Sequence, residues 1–166
     1  MKLAAKISTS FALVALALAA PAFAQDAGQI ARVKGGASCG GCNLFQADLA
    51  GAELPGGQFS RARLRQSDLT LAVMGGANFA GADLRDVNAF AGVFSSANFT
   101  GADMTNSSWV GAHLGGARLA GAKLSGANLS GAELEGAHGL TQAQLNAACG
   151  DADTRLPGGL TVPACR

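Results

Sequence analysis

From Leu44 to Leu134 the chain repeats with a period of five. Stepping by five from Leu44 passes through Leu49, Leu54, Phe59, Leu64, Leu69, Met74, Phe79 and Leu84. It continues through Phe94, Phe99, Met104 and Trp109, and eighteen of the nineteen positions are large and apolar, Ala89 being the exception. Two residues before each of them the side chain is small, from Cys42 and Ala47 to Ala132, with Val87 the one bulky departure. A helix needs apolar spacing of 3.6 and a half-buried strand a spacing of 2, so a period of five fits neither. A unit that sends one large and one small side chain inward and then turns has to wind around an axis. One such unit cannot bury its own apolar face, so units must stack. Turn chemistry agrees: glycine stands two residues after the large position in eleven units, including Gly51, Gly76, Gly101 and Gly126, where a bend makes a Cβ costly.

Units such as Ala82-Asp83-Leu84, Ala102-Asp103-Met104 and Ala127-Asn128-Leu129, each followed by two small or polar residues, resemble the pentapeptide repeat family. The resemblance covers residues 37–138 without an insertion. It implies an all-β fold, a right-handed quadrilateral β-helix with one pentapeptide per side and four per coil. About five coils at ~4.8 Å each would give a solenoid of roughly 24 Å. In that geometry residues twenty apart stack, which places Phe59, Phe79 and Phe99 in one column continued by Leu119. The same columns set Trp109 one level above Ala89, whose unit also carries Val87. Volume removed at one level is thus returned beside and above it, as close packing requires.

The first 24 residues read as a secretory signal peptide: Lys2 and Lys6, an apolar stretch from Phe11 to Ala20, then Pro21 and Ala22-Phe23-Ala24 as a cleavage signature. The apolar run is short for a membrane span. Cleavage after Ala24 would start the mature chain at Gln25, with no integral membrane span, in the periplasm or outside the cell. Without Lys2 and Lys6 the balance is ten basic residues to eleven acidic. That near-neutral charge argues against a nucleic-acid or anionic-membrane partner.

A solenoid exposes its core and strand edges at both ends, so both need caps. Residues 25–36 form the N-terminal cap; Asp26 through Lys34 would make one or two helical turns, with Ile30 and Val33 over the first coil, or an extended cover. At the other end Thr141-Gln142-Ala143-Gln144 matches a capping box and predicts a helix over 141–149 stopped by Gly150. The segment 139–166 thus combines a helix with a tail returning to Cys165. Cysteines in an exported chain read as disulfides. Cys149 and Cys165 flank that tail, and closing the loop is worth ~3 kcal/mol in the chain-entropy model. Cys39 and Cys42, C-G-G-C in the first coil, read as the second pair, with free thiols as the alternative. The two pairs sit at opposite ends of the rod, which excludes one zinc site built from all four.

Candidates for catalysis are few. His113 and His138 precede large positions and face outward, as do Asp48, Glu53, Asp68, Asp83, Asp103 and Glu133, which read as solvated surface residues. Ser67 and Ser107 fill small inward slots. The glycines follow the five-residue period and form no phosphate loop. The chain reads as no enzyme, without cofactor or metal. On the surface, Asn43, Arg63, Asp83, Asp103 and Lys123 form a ladder. Arg61, Arg63 and Arg65 crowd one corner with Arg85 a coil above, a candidate patch for an anionic partner. The blander alternative pairs Arg63 with Asp83 and leaves the other three solvated. Val73 and Val93 make a small apolar strip. The expected role is an exported, non-catalytic scaffold that binds an envelope or extracellular protein. The alternative, drawn from the resemblance, is a DNA mimic that modulates gyrase or topoisomerase, as some cytoplasmic members of that family do; it would need a strongly acidic face and cytoplasmic access.

Overall fold

Backbone hydrogen bonds convert the five-residue period into a coil. In the computed structural model, which describes residues 25–166, the Leu44 amide donates to the Arg63 carbonyl at 2.8 Å and the Arg63 amide donates to the Cys42 carbonyl at 2.8 Å. That exchange pairs Asn43 with Arg63 in parallel, and equivalent pairs run to Arg118 with His138, always twenty residues apart. Four units therefore complete each turn of the solenoid, and four columns of outward residues define its faces. The first face carries Asn43, Arg63, Asp83, Asp103 and Lys123; the second begins at Asp48, the third at Glu53 and the fourth at Gln58. Each pairing is one residue wide, so no extended strand forms among the described residues. The leader expected over residues 1–24 lies outside the described residues.

At each corner from Leu44 to Ala137 the chain turns on one hydrogen bond, as where the Ala47 amide donates to the Leu44 carbonyl at 3.0 Å. The third residue of the turn takes a positive φ, the signature of a type II turn. Glycine was the expected occupant, and the solenoid glycines sit there with φ of 64° to 70°. Eight other residues adopt it as well: Gln46, Arg61, Gln66, Leu71, Asp86, Ala91, Ser96 and Asn106, with φ of 52° to 59°. Left-handed backbone costs such residues ~1–2 kcal/mol each. The ladder bonds on both sides of the corner hold them there.

Inside, the large positions are buried from Leu44 to Leu134. The Phe column stacks as its spacing requires: Phe59 and Phe79 lie 5.2 Å apart at 19°, Phe79 and Phe99 5.2 Å apart at 4°. Trp109 presents its edge or face to Phe94 at 5.1 Å and Phe99 at 5.3 Å. Ala89 and Val87 are buried one level below it, consistent with an exchange of volume between levels. Ser107 does more than fill a small slot. Its hydroxyl donates to the Met104 carbonyl and accepts from the Trp109 indole N–H at 2.7 Å. Two small positions hold glycine, Gly57 and Gly92, and in each a Cβ would lie 2.5 Å from the ring of the Phe two residues on, Phe59 or Phe94.

Both ends are covered. Helix α1, Ala27–Lys34, starts at Asp26, whose carboxylate accepts from the Gln29 amide at 3.0 Å, and lays Val33 and Ile30 on the core. Helix α2 is Gln142–Asn146, with Thr141 and Gln144 forming the capping box and Leu145 buried. It is shorter than the 141–149 read from the sequence, because the ladder recaptures the chain. The Cys149 amide donates to the Ala127 carbonyl at 2.9 Å and its carbonyl accepts from Leu129 at 2.8 Å. Gly150, expected to stop the helix, instead pairs with Ala164, and a Cβ there would meet Val162 at 2.6 Å. Gln144 Nε2 donates to the carbonyls of Leu119 and Ala122, both at 2.8 Å, satisfying backbone acceptors at the open end. Disulfides join Cys39 to Cys42, Cα atoms 5.4 Å apart, and Cys149 to Cys165, 4.8 Å apart. Among the described residues no helix is long and apolar enough to cross a membrane.

Candidate interaction surface

The residue before each large position points outward, and its frequent identity as Asp or Asn has a local cause. Its side-chain oxygen accepts from the backbone amide two residues on: Asp48 from Ala50 at 3.2 Å, Asp68 from Thr70 at 2.9 Å, Asn78 from Ala80 at 3.1 Å, Asn128 from Ser130 at 2.9 Å. These are Asx turns that brace the corner. The sequence reading placed these acids as solvated surface; their recurrence at one register position was the available signal for the turn. Along the fourth face, Asn98 Nδ2 donates to Asn78 Oδ1 and Asn78 Nδ2 to Gln58 Oε1, each at 3.2 Å.

The arginines expected at one corner instead bracket the first face, Arg61 in the turn from Phe59 to Ala62 and Arg65 in the turn from Leu64 to Ser67, and their charge is answered in part within the chain. Arg85 grips Asp83 with two charge-assisted bonds, Nε to Oδ1 at 2.7 Å and Nη2 to Oδ2 at 2.6 Å. Arg65 Nε reaches Asp86 Oδ2 at 3.1 Å. The pairing of Asp83 with Arg63 read from the sequence is thus replaced by one with Arg85. The reason is local: the Asx turn already brings the Arg85 backbone amide to 3.3 Å from Asp83 Oδ1, so its guanidinium meets the carboxylate without spanning a coil. The Arg85 fork holds the Asp83 carboxyl below the usual range, and Asp83 in turn raises Arg85. Arg61 and Arg63 are exposed, Arg61 at a positive-φ corner. Higher on this face, burial raises the Asp103 carboxyl, but hydrogen bonds from Thr105 and the Lys123 ammonium at 3.4 Å outweigh it and leave it lowered.

On the third face the His113 ring meets Glu133 at 2.6 Å and holds that carboxyl below its ordinary value. The same face carries Val73 and Val93 in register. Two residues that the sequence reading did not single out join them: Leu71 and Phe90, linked by a hydrogen bond from the Leu71 amide to the Phe90 carbonyl at 2.9 Å. Leu71, Val73 and Phe90 are 59%, 39% and 48% exposed. Both departed from the repeat, a bulky side chain at a glycine corner and an aromatic among small residues. Among the described residues no cluster of three or more His, Cys, Asp or Glu is placed to hold a metal ion. Every fully buried side-chain polar atom among them has a hydrogen-bond partner.

The family described as pentapeptide repeats matches the chain in eight copies, over residues 42–75, 58–90, 67–106 and 97–136. Among solved structures, a pentapeptide repeat protein from the cyanobacterium Cyanothece 51142 is 26% identical with a TM-score of 0.53, the match covering 72% of this chain and 90% of that one. A pentapeptide repeat protein of the Arabidopsis thaliana thylakoid lumen is 28% identical over 58% of this chain and 70% of that one, TM-score 0.47. QnrB1, a plasmid-mediated fluoroquinolone resistance protein, is 26% identical over 65% of each chain, TM-score 0.26. No curated protein matches the sequence.

Proposed function

Because the chain belongs to the pentapeptide repeat family, whose β-helix turns inward side chains into core, we propose that it is an exported, non-catalytic scaffold that acts by binding another protein along its outward faces. The observation that carries this reading is the division of labour within each unit. The inward positions are consumed by packing, as in the Phe59–Phe79–Phe99 stack. The outward groups stand in columns at fixed height, as in the ladder of Asn43, Arg63, Asp83, Asp103 and Lys123. Such columns present a rigid, regular surface, which suits recognition better than turnover. Disulfides at both ends support an oxidising compartment. In this reading residues 1–24 are the leader, 25–36 the N-terminal cap, 37–138 a four-sided rod of about five coils, and 139–166 the closure. The near-even charge balance disfavours a duplex-DNA mimic.

The partner-binding face is assigned to the first face, at Arg61, Arg63, Arg65 and Arg85. Mature protein used as bait on its native cell envelope should capture a partner that the Arg61→Ala, Arg63→Ala, Arg65→Ala, Arg85→Ala variant captures poorly. Undiminished capture would remove those arginines from the proposal, and gyrase inhibition at stoichiometric protein would replace the scaffold reading with the mimic. Intact mass of the native protein should start at Gln25; a retained leader would argue against export.

A further inference from the structure

Among the described residues the exposed large apolar side chains are Leu71, Val73 and Phe90, all within two coils at one edge of the third face. Ascending that face, the outward column reads Glu53, Val73, Val93, His113: an exposed acid below, two valines at the centre, an exposed imidazole above. The far corner of the face carries only short side chains over these levels, Pro55, Ser95 and Ser96 beside the Gly75-Gly76 and Gly115-Gly116 pairs, so no long side chain projects there to hold a flat partner away. The apolar corner alternates in size, with Leu71 below Ala91 and Thr70 below Phe90.

We propose that this face pairs with the same face of a second copy, the two rods antiparallel about a two-fold axis that crosses the face between the Val73 and Val93 levels. That operation sets Val73 against Val93 of the second copy and Leu71 against its Ala91. It also sets Phe90 against Thr70, and Glu53 against His113. Each contact occurs twice, each large side chain meets a smaller one, and each acid meets an imidazole that, with Nδ1 held by Glu133, donates to it from Nε2 in the imidazolium form. Opposite partners at matched height fix register and orientation. A parallel pairing about an axis along the rod would instead set Glu53 on Glu53 and Glu133 on Glu133. Four levels at ~4.8 Å give a contact roughly 19 Å long, and about three extended residues at ~3.3 Å make it roughly 10 Å wide, so its footprint of roughly 200 Å² is well below the ~800 Å² per partner of a standard interface. The pairing is therefore weak and concentration-dependent. It stands independently of export and of the arginine-bearing face.

Sedimentation equilibrium of the disulfide-intact protein, from micromolar to millimolar, should show the average mass rising towards the dimer. Val73→Lys, an exposed outward change, should weaken association at least tenfold while leaving circular dichroism unaltered. Register is read with a short bismaleimide, since the native cysteines are all in disulfides. An equimolar mixture of the Glu53→Cys and His113→Cys proteins should cross-link, and Glu53→Cys alone should not. Cross-linking of Glu53→Cys to itself, or association untouched by Val73→Lys, would overturn the pairing. A chain still monomeric at millimolar concentration would also overturn it, leaving this face to a different protein.

Discussion

Replacing Ser107 with Ala should destabilise the rod more than the same change at Ser67, although both serines occupy equivalent small inward positions and both are 1% exposed. The Ser67 hydroxyl makes one bond, to the Leu64 carbonyl at 2.6 Å, and that carbonyl also accepts the Ser67 amide at 3.0 Å. Alanine there leaves nothing unpaired, so the loss is at most one ordinary bond, ~0.5–1.5 kcal/mol. At Ser107 the hydroxyl is also the acceptor for the Trp109 indole N–H at 2.7 Å, on a fully buried ring. Its removal strands a buried donor, which adds ~1–3 kcal/mol. Trp109→Phe deletes that donor. In a cycle of wild type, Ser107→Ala, Trp109→Phe and the double variant, the two changes should therefore couple by ~1 kcal/mol or more. Trp109 is the only tryptophan, so urea unfolding of all four proteins is followed by far-ultraviolet circular dichroism with disulfides intact. Fluorescence of the two that retain it checks for a single transition. A coupling below ~0.3 kcal/mol, or Ser107→Ala no worse than Ser67→Ala, would refute the assignment of Ser107 as the indole's partner.

Gly92→Ala moves a unit towards the repeat's commonest small residue yet should destabilise by ~1–3 kcal/mol through overpacking, because the Cβ would lie 2.5 Å from Phe94 Cε2; a raised urea midpoint would contradict it. Backbone strain separates from contacts at Gly121, where a Cβ meets nothing within 4 Å but φ is +66°: Gly121→Ala should lose ~1 kcal/mol. Leu71→Gly, at φ 57°, should gain ~0.5–1 kcal/mol when measured at low protein concentration, and opposite signs would show that the left-handed corners carry no strain. Asp83, Asp103, Glu133 and Asp151 all have folded pKa values below the ordinary range. Their stabilisation is complete above the unfolded carboxylate pKa of ~4 and is lost as pH falls through the lower folded values. The urea midpoint should accordingly hold from neutral pH to about pH 5 and decline towards pH 2, with Asp83→Asn, which keeps the Asx acceptor but loses the Arg85 ion pair, flattening that decline.

Much of the architecture was legible because a solenoid repeats one decision. Once Leu44, Leu49 and Leu54 share a register, every later large residue inherits its direction, and the twenty-residue stack that joins Phe59, Phe79 and Phe99 follows from four units per coil. What could not be read were choices made within a single turn. Asp83 has Arg63 one coil below it and Arg85 two residues away, and a column diagram favours the first. The turn favours the second, because the Asx bond to the Arg85 amide has already oriented that residue. The end of α2 was misplaced for a related reason. Capping and Gly150 describe the helix in isolation, whereas the open ladder edge at Ala127 and Leu129 takes Cys149 before the helix can continue.

In such a rod, information lies in departures from the repeat, and the departures divide into two kinds. Those facing inward answer one another: Gly92 makes room for Phe94, Ser107 accepts from Trp109, and Val87 and Ala89 are buried below that indole. Each is explained by a neighbour within the core and needs no partner outside the chain. Leu71, Val73 and Phe90 are departures of the other kind. The repeat offers glycine at the first position, Asp or Asn at the second and a small or polar residue at the third. Each of those would spare backbone strain, brace a turn or leave less apolar surface in water. Leu71 holds a left-handed φ while 59% exposed, so it is unfavourable on both counts. Residues that lower the stability of the isolated rod, gathered on one edge at adjacent levels, mark the surface whose favourable contacts lie on another molecule. That distinction also ranks the faces. The arginine-bearing face is answered in part by Asp83 and Asp86 within the chain, whereas the apolar edge of the third face is not.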